Sequence, residues 1–412
     1  CADATLRLRF DGKPKVAGSG KIRVFDAAAP SSAVATVDLA TSAIQETVGG
    51  TAYQLARPVY VTDDEVIVRL PPGKLDYGKR YYVTVDDGAI EGPGGAVMRF
   101  SSPTDWSFST AASAPIDRSA LRVAVDGTGQ FCSVQGALDA LPARSASQSV
   151  ITVGSGTYFE LVRASGKGHF TLRGEDRKQT IIVGVNNENL NGGTAKRTLI
   201  SIDKAEDVII ENLTIHNLTP QGGSQAEALR LQSCERCVVR HADILSLQDT
   251  LLWSGKIYAE DCYIAGNVDF VWGTGAVFFD KCEIKTVGRT GYVVQSRNEP
   301  GASGYVFVDS KITADPGVDG IVLARIDSAE YPGSHVAYIN CQMGSHIAPE
   351  GWRVTGGGFG SALRFWEYQS TDAAGKPLDV SRRLAGSRQI SADQAATMRD
   401  PAQVLGGWQP PH

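Results

Sequence analysis

Glu260-Asp261-Cys262-Tyr263-Ile264 is followed twenty residues later by Asp280-Lys281-Cys282-Glu283-Ile284. Both segments end on isoleucine and carry cysteine two positions earlier. The arrangement returns in Glu211-Asn212-Leu213-Thr214-Ile215, Arg240-His241-Ala242-Asp243-Ile244, Asp309-Ser310-Lys311-Ile312 and Ile339-Asn340-Cys341-Gln342-Met343. Aligned on the final residue, one column reads Ile, Ile, Ile, Ile, Ile, Met, and the column two places before it reads Leu, Ala, Cys, Cys, Ser, Cys. Residues two apart on a strand face the same side, so these columns predict inward-facing ladders. Steps of 29, 20, 20, 28 and 31 residues, with one short strand in each, predict a parallel β-helix whose turns stack on one another. The leucine–asparagine signature of leucine-rich repeats is absent. The uneven steps predict loops inserted between strands, and loops carry function on such scaffolds. Cys262, Cys282 and Cys341 are expected to be small buried fillers with free thiols.

Residues 1–112 follow a different grammar. Leu6, Leu8 and Phe10 alternate with polar residues, as do Val66, Val68 and Leu70, while Tyr82-Val83 leads to Val85 and Trp106 pairs with Phe108. Period-two alternation broken by turns such as Pro71-Pro72-Gly73 predicts a small β-sandwich. Residues 113–118, beginning Ser113-Ala114-Pro115, read as a linker, which leaves 119–412 to the solenoid.

Composition narrows the classes of function. Of 412 residues, 42% are hydrophobic and 21% charged, which fits neither disorder nor a membrane bundle. A net charge of −5 argues against a nucleic-acid partner, but a basic groove for an anionic polysaccharide can coexist with it. A cysteine as first residue fits a bacterial lipoprotein, acylated on Cys1 and tethered to a membrane surface without spanning it. The expected location is therefore the bacterial cell envelope, or outside the cell. Cys234 and Cys237 form a C-x-x-C with no second pair at zinc-finger spacing, so no metal is expected there.

The chemistry is sought among carboxylates, because G-x-S-x-G and H-E-x-x-H are both absent. Asp249 lies five residues past the ladder residue Ile244, and Asp269 five past Ile264. They are 20 residues apart, one step of the solenoid at this point, so they should sit on adjacent turns about 4.8 Å apart in backbone spacing. Two such carboxylates cannot both ionise easily, which yields an acid beside a nucleophile or base. Turn-capping aspartates would show the same spacing, so spacing alone leaves both readings open.

From about residue 121 onward the chain resembles the pectin methylesterases. Val125-Asp126-Gly127-Thr128-Gly129-Gln130-Phe131, Gly156-Thr157-Tyr158-Phe159-Glu160, Gln225-Ala226-Glu227-Ala228-Leu229-Arg230, Gln248-Asp249-Thr250-Leu251, Asp269-Phe270-Val271-Trp272-Gly273 and Gln295-Ser296-Arg297 follow the family's motifs in the family's order. Residues 1–112 are similar to bacterial Ig-like domains through Gly18-Ser19-Gly20-Lys21-Ile22, the stretch from Leu75 to Val83, and Trp106-Ser107-Phe108-Ser109-Thr110. The resemblance implies an all-β chain: a right-handed parallel β-helix preceded by an Ig-like β-sandwich that serves as a spacer or accessory module. It implies hydrolysis of methyl esters on galacturonate units of pectin with release of methanol, and no metal or organic cofactor. It assigns Asp269 as nucleophile, Asp249 as general acid and then base, Gln225 and Gln248 as oxyanion donors, and Arg325 as the group that orients the nucleophile. Trp272, Phe270 and Arg297 are the expected substrate contacts, and a monomer is the expected assembly.

Two departures bear on the substrate. The family's tryptophan after its "L-G-R-P" motif falls at Asp327, and Glu227 stands where the family pattern has an apolar residue. Glu227 is expected to point away from the site. A β-helix lipoprotein acting on a different ester or a thioester, and a non-catalytic glycan-binding lipoprotein, are the alternative readings.

Overall fold

The computed structural model describes residues 1–411 except 42, 56, 144, 146, 289 and 290. Contacts divide it into two compact units, Cys1–Leu141 with Ile151–Tyr158, and Pro142–Val150 with Phe159 onward.

In the first unit, one antiparallel sheet joins Leu6–Arg9, Glu65–Val68 and Val59–Val61, and a second joins Ser107–Ser109, Arg80–Val85, Lys21–Asp26 and Ala35–Asp38. Their inward residues, among them Leu6, Val66 and Val68 from one sheet and Ile22, Val24, Val37 and Val83 from the other, share a single core. This is the sandwich that the alternation predicts. The unit runs past residue 112 to Leu141. Cys1 is joined to Cys132 by a disulfide. Asp3 accepts N–H groups from Cys132 and Ser133 and the Ser133 hydroxyl, just ahead of the helix Val134–Ala140.

The second unit is a parallel β-helix with three ladders. The first runs through Val162–Ser165, Ile200–Asp203, the start of Leu229–Arg240, the start of Leu251–Glu260, Val268–Gly273, Tyr292–Ser296, Val322–Asp327 and Trp352–Thr355. The second runs through Phe170–Gly174, Val208–Glu211, the ends of the two long strands, Gly275–Asp280, Gly304–Val308, His335–Ile339 and Arg364–Tyr368. The third contains the repeated column: Ile215, Ile244, Ile264, Ile284, Ile312 and Met343 are register partners in succession, and Ile182 precedes them by one turn. All are fully buried. Leu213, Ala242, Cys262, Cys282, Ser310 and Cys341 form the second buried column, with free thiols at the cysteines.

The residue before each member of that second column (Asn212, His241, Asp261, Lys281, Asp309 and Asn340) has φ between 47° and 57°. One left-handed residue per turn makes the corner between the second and third ladders, which is why Asn and Asp recur there. A stack of rings fills the interior: Phe279, Phe307 and Tyr338 are register partners, with centroids 4.3 and 4.7 Å apart. The C-terminal helix Ala392–Arg399, closed by a Ser391/Gln394 capping box, packs through Ala395 onto the outer side of the second ladder. Among the described residues no helix is long and apolar enough to cross a membrane.

Candidate active site

The first ladder alternates between core and surface. Leu251, Val271, Val294, Ala324 and Trp352 form its inward column and are buried. The outward column begins at Leu252, Trp272 and Gln295, and Arg325 and Arg353 follow on the next two turns. Asp249 and Asp269 lie beside this column. Gln248 pairs with Val268 in a parallel bridge and the Asp249 N–H donates to the Val268 carbonyl at 3.0 Å, so the two aspartates occupy adjacent turns as the 20-residue step predicts.

Both aspartates have left-handed backbone, with φ of 66° at Asp249 and 47° at Asp269. The pairing register shifts between Val268 and Val271, so the strand bulges at Asp269. Such irregularities re-aim side chains, and strained backbone of this kind clusters at functional sites. The bulge also accounts for one correction. Phe270 and Val271 both turn inward in succession, and Phe270 is fully buried against Gly266, so its ring offers no surface to a substrate.

The carboxylates have different partners. Arg325 donates from Nε to Asp269 Oδ1 at 2.7 Å and from Nη2 to Oδ2, a two-pronged grip. Asp249 receives one N–H, from Arg197 Nη2 to Oδ2 at 2.8 Å. Arg197 also holds Glu227 and Glu188. Burial, followed by the nearby Glu227 charge, pushes the Asp249 carboxyl up to about 8 despite Arg197. A buried acid beside an arginine-gripped carboxylate is the division of labour that an acid–nucleophile pair requires.

Gln225 and Gln248 stand on successive turns, linked by an Ala226 N–H to Gln248 carbonyl bond of 3.1 Å, and Gln248 directly precedes Asp249. The Ser224 hydroxyl donates to Gln225 Oε1 at 2.6 Å, which fixes that amide with its NH₂ end left to donate elsewhere. Arg297 stacks on the Trp272 ring at 4.4 Å and lies 5.5 Å from the Tyr331 ring. Arg325 lies 4.6 Å from the Tyr292 ring, and Arg353 donates to the Tyr292 hydroxyl at 2.7 Å. Asp327 ends its strand in a turn, and its carbonyl accepts the Tyr331 N–H at 2.9 Å. The turn that lacks the expected tryptophan thus carries Tyr331 to Arg297.

Asp249, Asp269, Gln225, Gln248, Arg325, Trp272 and Arg297 therefore lie on neighbouring turns along the outward side of the first ladder, with the Trp272 ring buried against Arg297, and Phe270 faces the core. Glu227 does not point away; it is fully buried behind Asp249 and bonded to Arg197. Motif reading missed Arg197, Glu188, Tyr292 and Tyr331. The repeat step contains the signal for Arg197: Ile200 pairs with Leu229, a step of 29, which carries position 197 to 226, beside Glu227.

A family model described as Pectinesterase matches residues 120–407. Pectinesterase 31 of Arabidopsis thaliana is 31% identical over 288 residues, spanning 67% of this chain and 89% of that protein. Probable pectinesterase A of Neosartorya fischeri is 27% identical over 315 residues, spanning 73% and 93%. Among solved structures, a pectin methylesterase from carrot superposes with a TM-score of 0.64 at 26% identity over 72% of this chain and 95% of that one. Pectin methylesterase PemA from Erwinia chrysanthemi gives a TM-score of 0.58 at 22% identity over 71% and 98%.

Proposed function

Because the chain belongs to the pectinesterase family, we propose that it hydrolyses methyl esters on galacturonate units of pectin through the Asp249–Asp269 pair. The observation that carries the assignment of roles is the unequal share of arginine: Asp269 is gripped at both oxygens, and Asp249 receives a single N–H, from an arginine that also holds Glu227 and Glu188.

Asp269 attacks the ester carbonyl as a carboxylate, aimed by Arg325. Negative charge passes to the carbonyl oxygen, where N–H groups of Gln225 and Gln248 receive it; one such donor is worth roughly 3 kcal/mol of barrier. Asp249, protonated in the resting enzyme, gives its proton to the departing methoxide, and methanol leaves. The product at this stage is an anhydride between Asp269 and the galacturonyl group. Asp249, now ionised, takes a proton from water, and the hydroxide attacks the galacturonyl carbon. Asp269 is released as carboxylate, and Asp249 has regained its proton. General acid–base assistance of this type contributes about 10²–10⁴-fold.

The aromatic and cationic strip of Arg297, Tyr331, Tyr292 and Arg353, with the buried Trp272 ring behind Arg297, suits a polyanionic sugar chain, with tyrosine ring faces for the sugars and guanidinium groups for free carboxylates. Tyr331 takes the place of the tryptophan that Asp327 replaces. The sandwich within residues 1–112 is read as an Ig-like spacer, and the cell envelope or its exterior as the place of action. Methanol release from methyl-esterified pectin tests the reading. Turnover by the wild type and its loss in Asp269→Ala are expected, and a folded wild type that releases no methanol overturns it.

A further inference from the structure

Glu227 is the residue of the Gln225–Arg230 motif that departs from the family pattern, and it is fully buried. Arg197 Nε lies 3.0 Å from each of its carboxylate oxygens, and Arg197 Nη2 lies 2.8 Å from Oε1. The same Nη2 reaches Asp249 Oδ2 at 2.8 Å, and Nη1 reaches Glu188 Oε2 at 3.1 Å. Three carboxylates converge on one guanidinium.

A single positive charge cannot neutralise three negative ones. In a buried site an uncompensated charge is costly, so the cluster keeps a proton. Its location follows from the contacts. Burial pushes the Glu227 carboxyl up as well, but the Arg197 fork of N–H donors on its oxygens pulls it back down. The Glu188 side chain is 36% exposed, so water solvates its charge. Asp249 is buried and has one N–H, from the Arg197 Nη2 whose other hydrogen goes to Glu227. As an anion it is the least compensated of the three.

We propose that Glu227 is a positioning residue: by occupying the Arg197 fork it keeps the proton on Asp249 and sets the upper pH limit of the enzyme. The inference rests on Asp249 as the general acid. The charged groups that face Asp249 are Arg197, Glu227, Asp269 and Arg297, and Arg325 feels its charge. Burial, Glu227 and Asp269 favour the protonated acid, while Arg197 and Arg297 oppose it. With an apolar residue at 227, Arg197 would be free to close on Asp249 and hold it ionised.

The test is the pH profile of kcat/KM on methyl-esterified pectin for the wild type, Glu227→Gln, Glu188→Gln and Asp249→Asn. Glu227→Gln keeps the shape and removes the charge, so the alkaline limb moves to lower pH by about one unit or more. Glu188→Gln acts through the same arginine from a partly exposed position where folding is not at risk, and its limb moves in the same direction by less. The proposal is overturned if both limbs coincide with the wild type, or if activity falls by the same factor at every pH, the mark of a purely structural role. Should Glu227→Gln not fold, Glu188→Gln decides alone: a lowered limb supports the proposal and an unmoved one overturns it. Asp249→Asn separates the two readings. Wild-type turnover in that variant removes the general acid itself. An inactive Asp249→Asn with unmoved Glu227→Gln and Glu188→Gln limbs removes only the role of Glu227.

Discussion

Arg325 closes on both carboxylate oxygens of Asp269 from two turns further along the solenoid. Among the described residues nothing equivalent holds Asp249 on the turn before, where one N–H comes from an arginine that two glutamates also claim. The stacking of turns makes the aspartates neighbours, and the arginines make them different.

The grip depends on the planar fork of Arg325. Arg325→Lys keeps the charge but supplies one flexible ammonium in place of two fixed N–H groups. We expect kcat to fall by at least about tenfold, which corresponds to about 1.4 kcal/mol, with KM little changed. Steady-state methanol release separates the two constants.

The Asp249 carboxyl, pushed up to about 8 by burial and Glu227, must be protonated for the first step. Activity should therefore fall as pH rises through about 8. Stability follows the same group. A carboxyl whose folded pKa lies above its unfolded value of about 3.9 binds its proton more tightly in the fold, so ionising it costs stability. That loss grows as pH rises from about 4 towards about 8. Asp249→Asn cannot ionise, so its Tm should exceed that of the wild type by a few degrees at pH values around 8, and the difference should vanish below about pH 4. Calorimetry across that range checks the sign.

Tyr331 is carried to Arg297 by the turn that begins at Asp327. If it forms part of the sugar-binding strip, Tyr331→Ala should raise KM about three- to fivefold with kcat nearly unchanged, the scale of one exposed aromatic–cation contact. An unchanged KM on pectin would remove Tyr331 from the substrate path.

The Cys1–Cys132 disulfide closes a loop of 131 residues. Peptide mapping without reduction should recover the two cysteines linked, and Cys234, Cys237, Cys262, Cys282 and Cys341 should react with a thiol reagent only after unfolding. Cys132→Ser should lower stability by about 2–4 kcal/mol. A thioether on Cys1 with a free Cys132 would contradict the linkage.

The isoleucine ladder was legible because each turn repeats the same local demand: a left-handed corner, a small inward residue, then a branched one two places on. Ile182 belongs to the ladder but lies 33 residues before Ile215, and its segment lacks the corner-and-small-residue pattern that marks the later turns. The stack of Phe279, Phe307 and Tyr338 was not legible either, since alternation gives the side a residue faces but not the turn it meets. Asp249 and Asp269 followed from the step and the motif order together. Phe270 was misplaced because a bulge breaks period-two alternation, and a single sequence does not display a bulge. Arg197 sits in a loop with no motif of its own, and only the stacking of turns makes it a partner of Glu227 and Asp249.

Methanol release from methyl-esterified pectin by Asp269→Ala, measured beside the wild type with equal folding verified by circular dichroism, bears most directly on the central claim. The variant removes the carboxylate proposed as nucleophile and leaves Arg325 without its partner. The account predicts a fall in kcat of at least about 10³-fold. Release at or near the wild-type rate would contradict it.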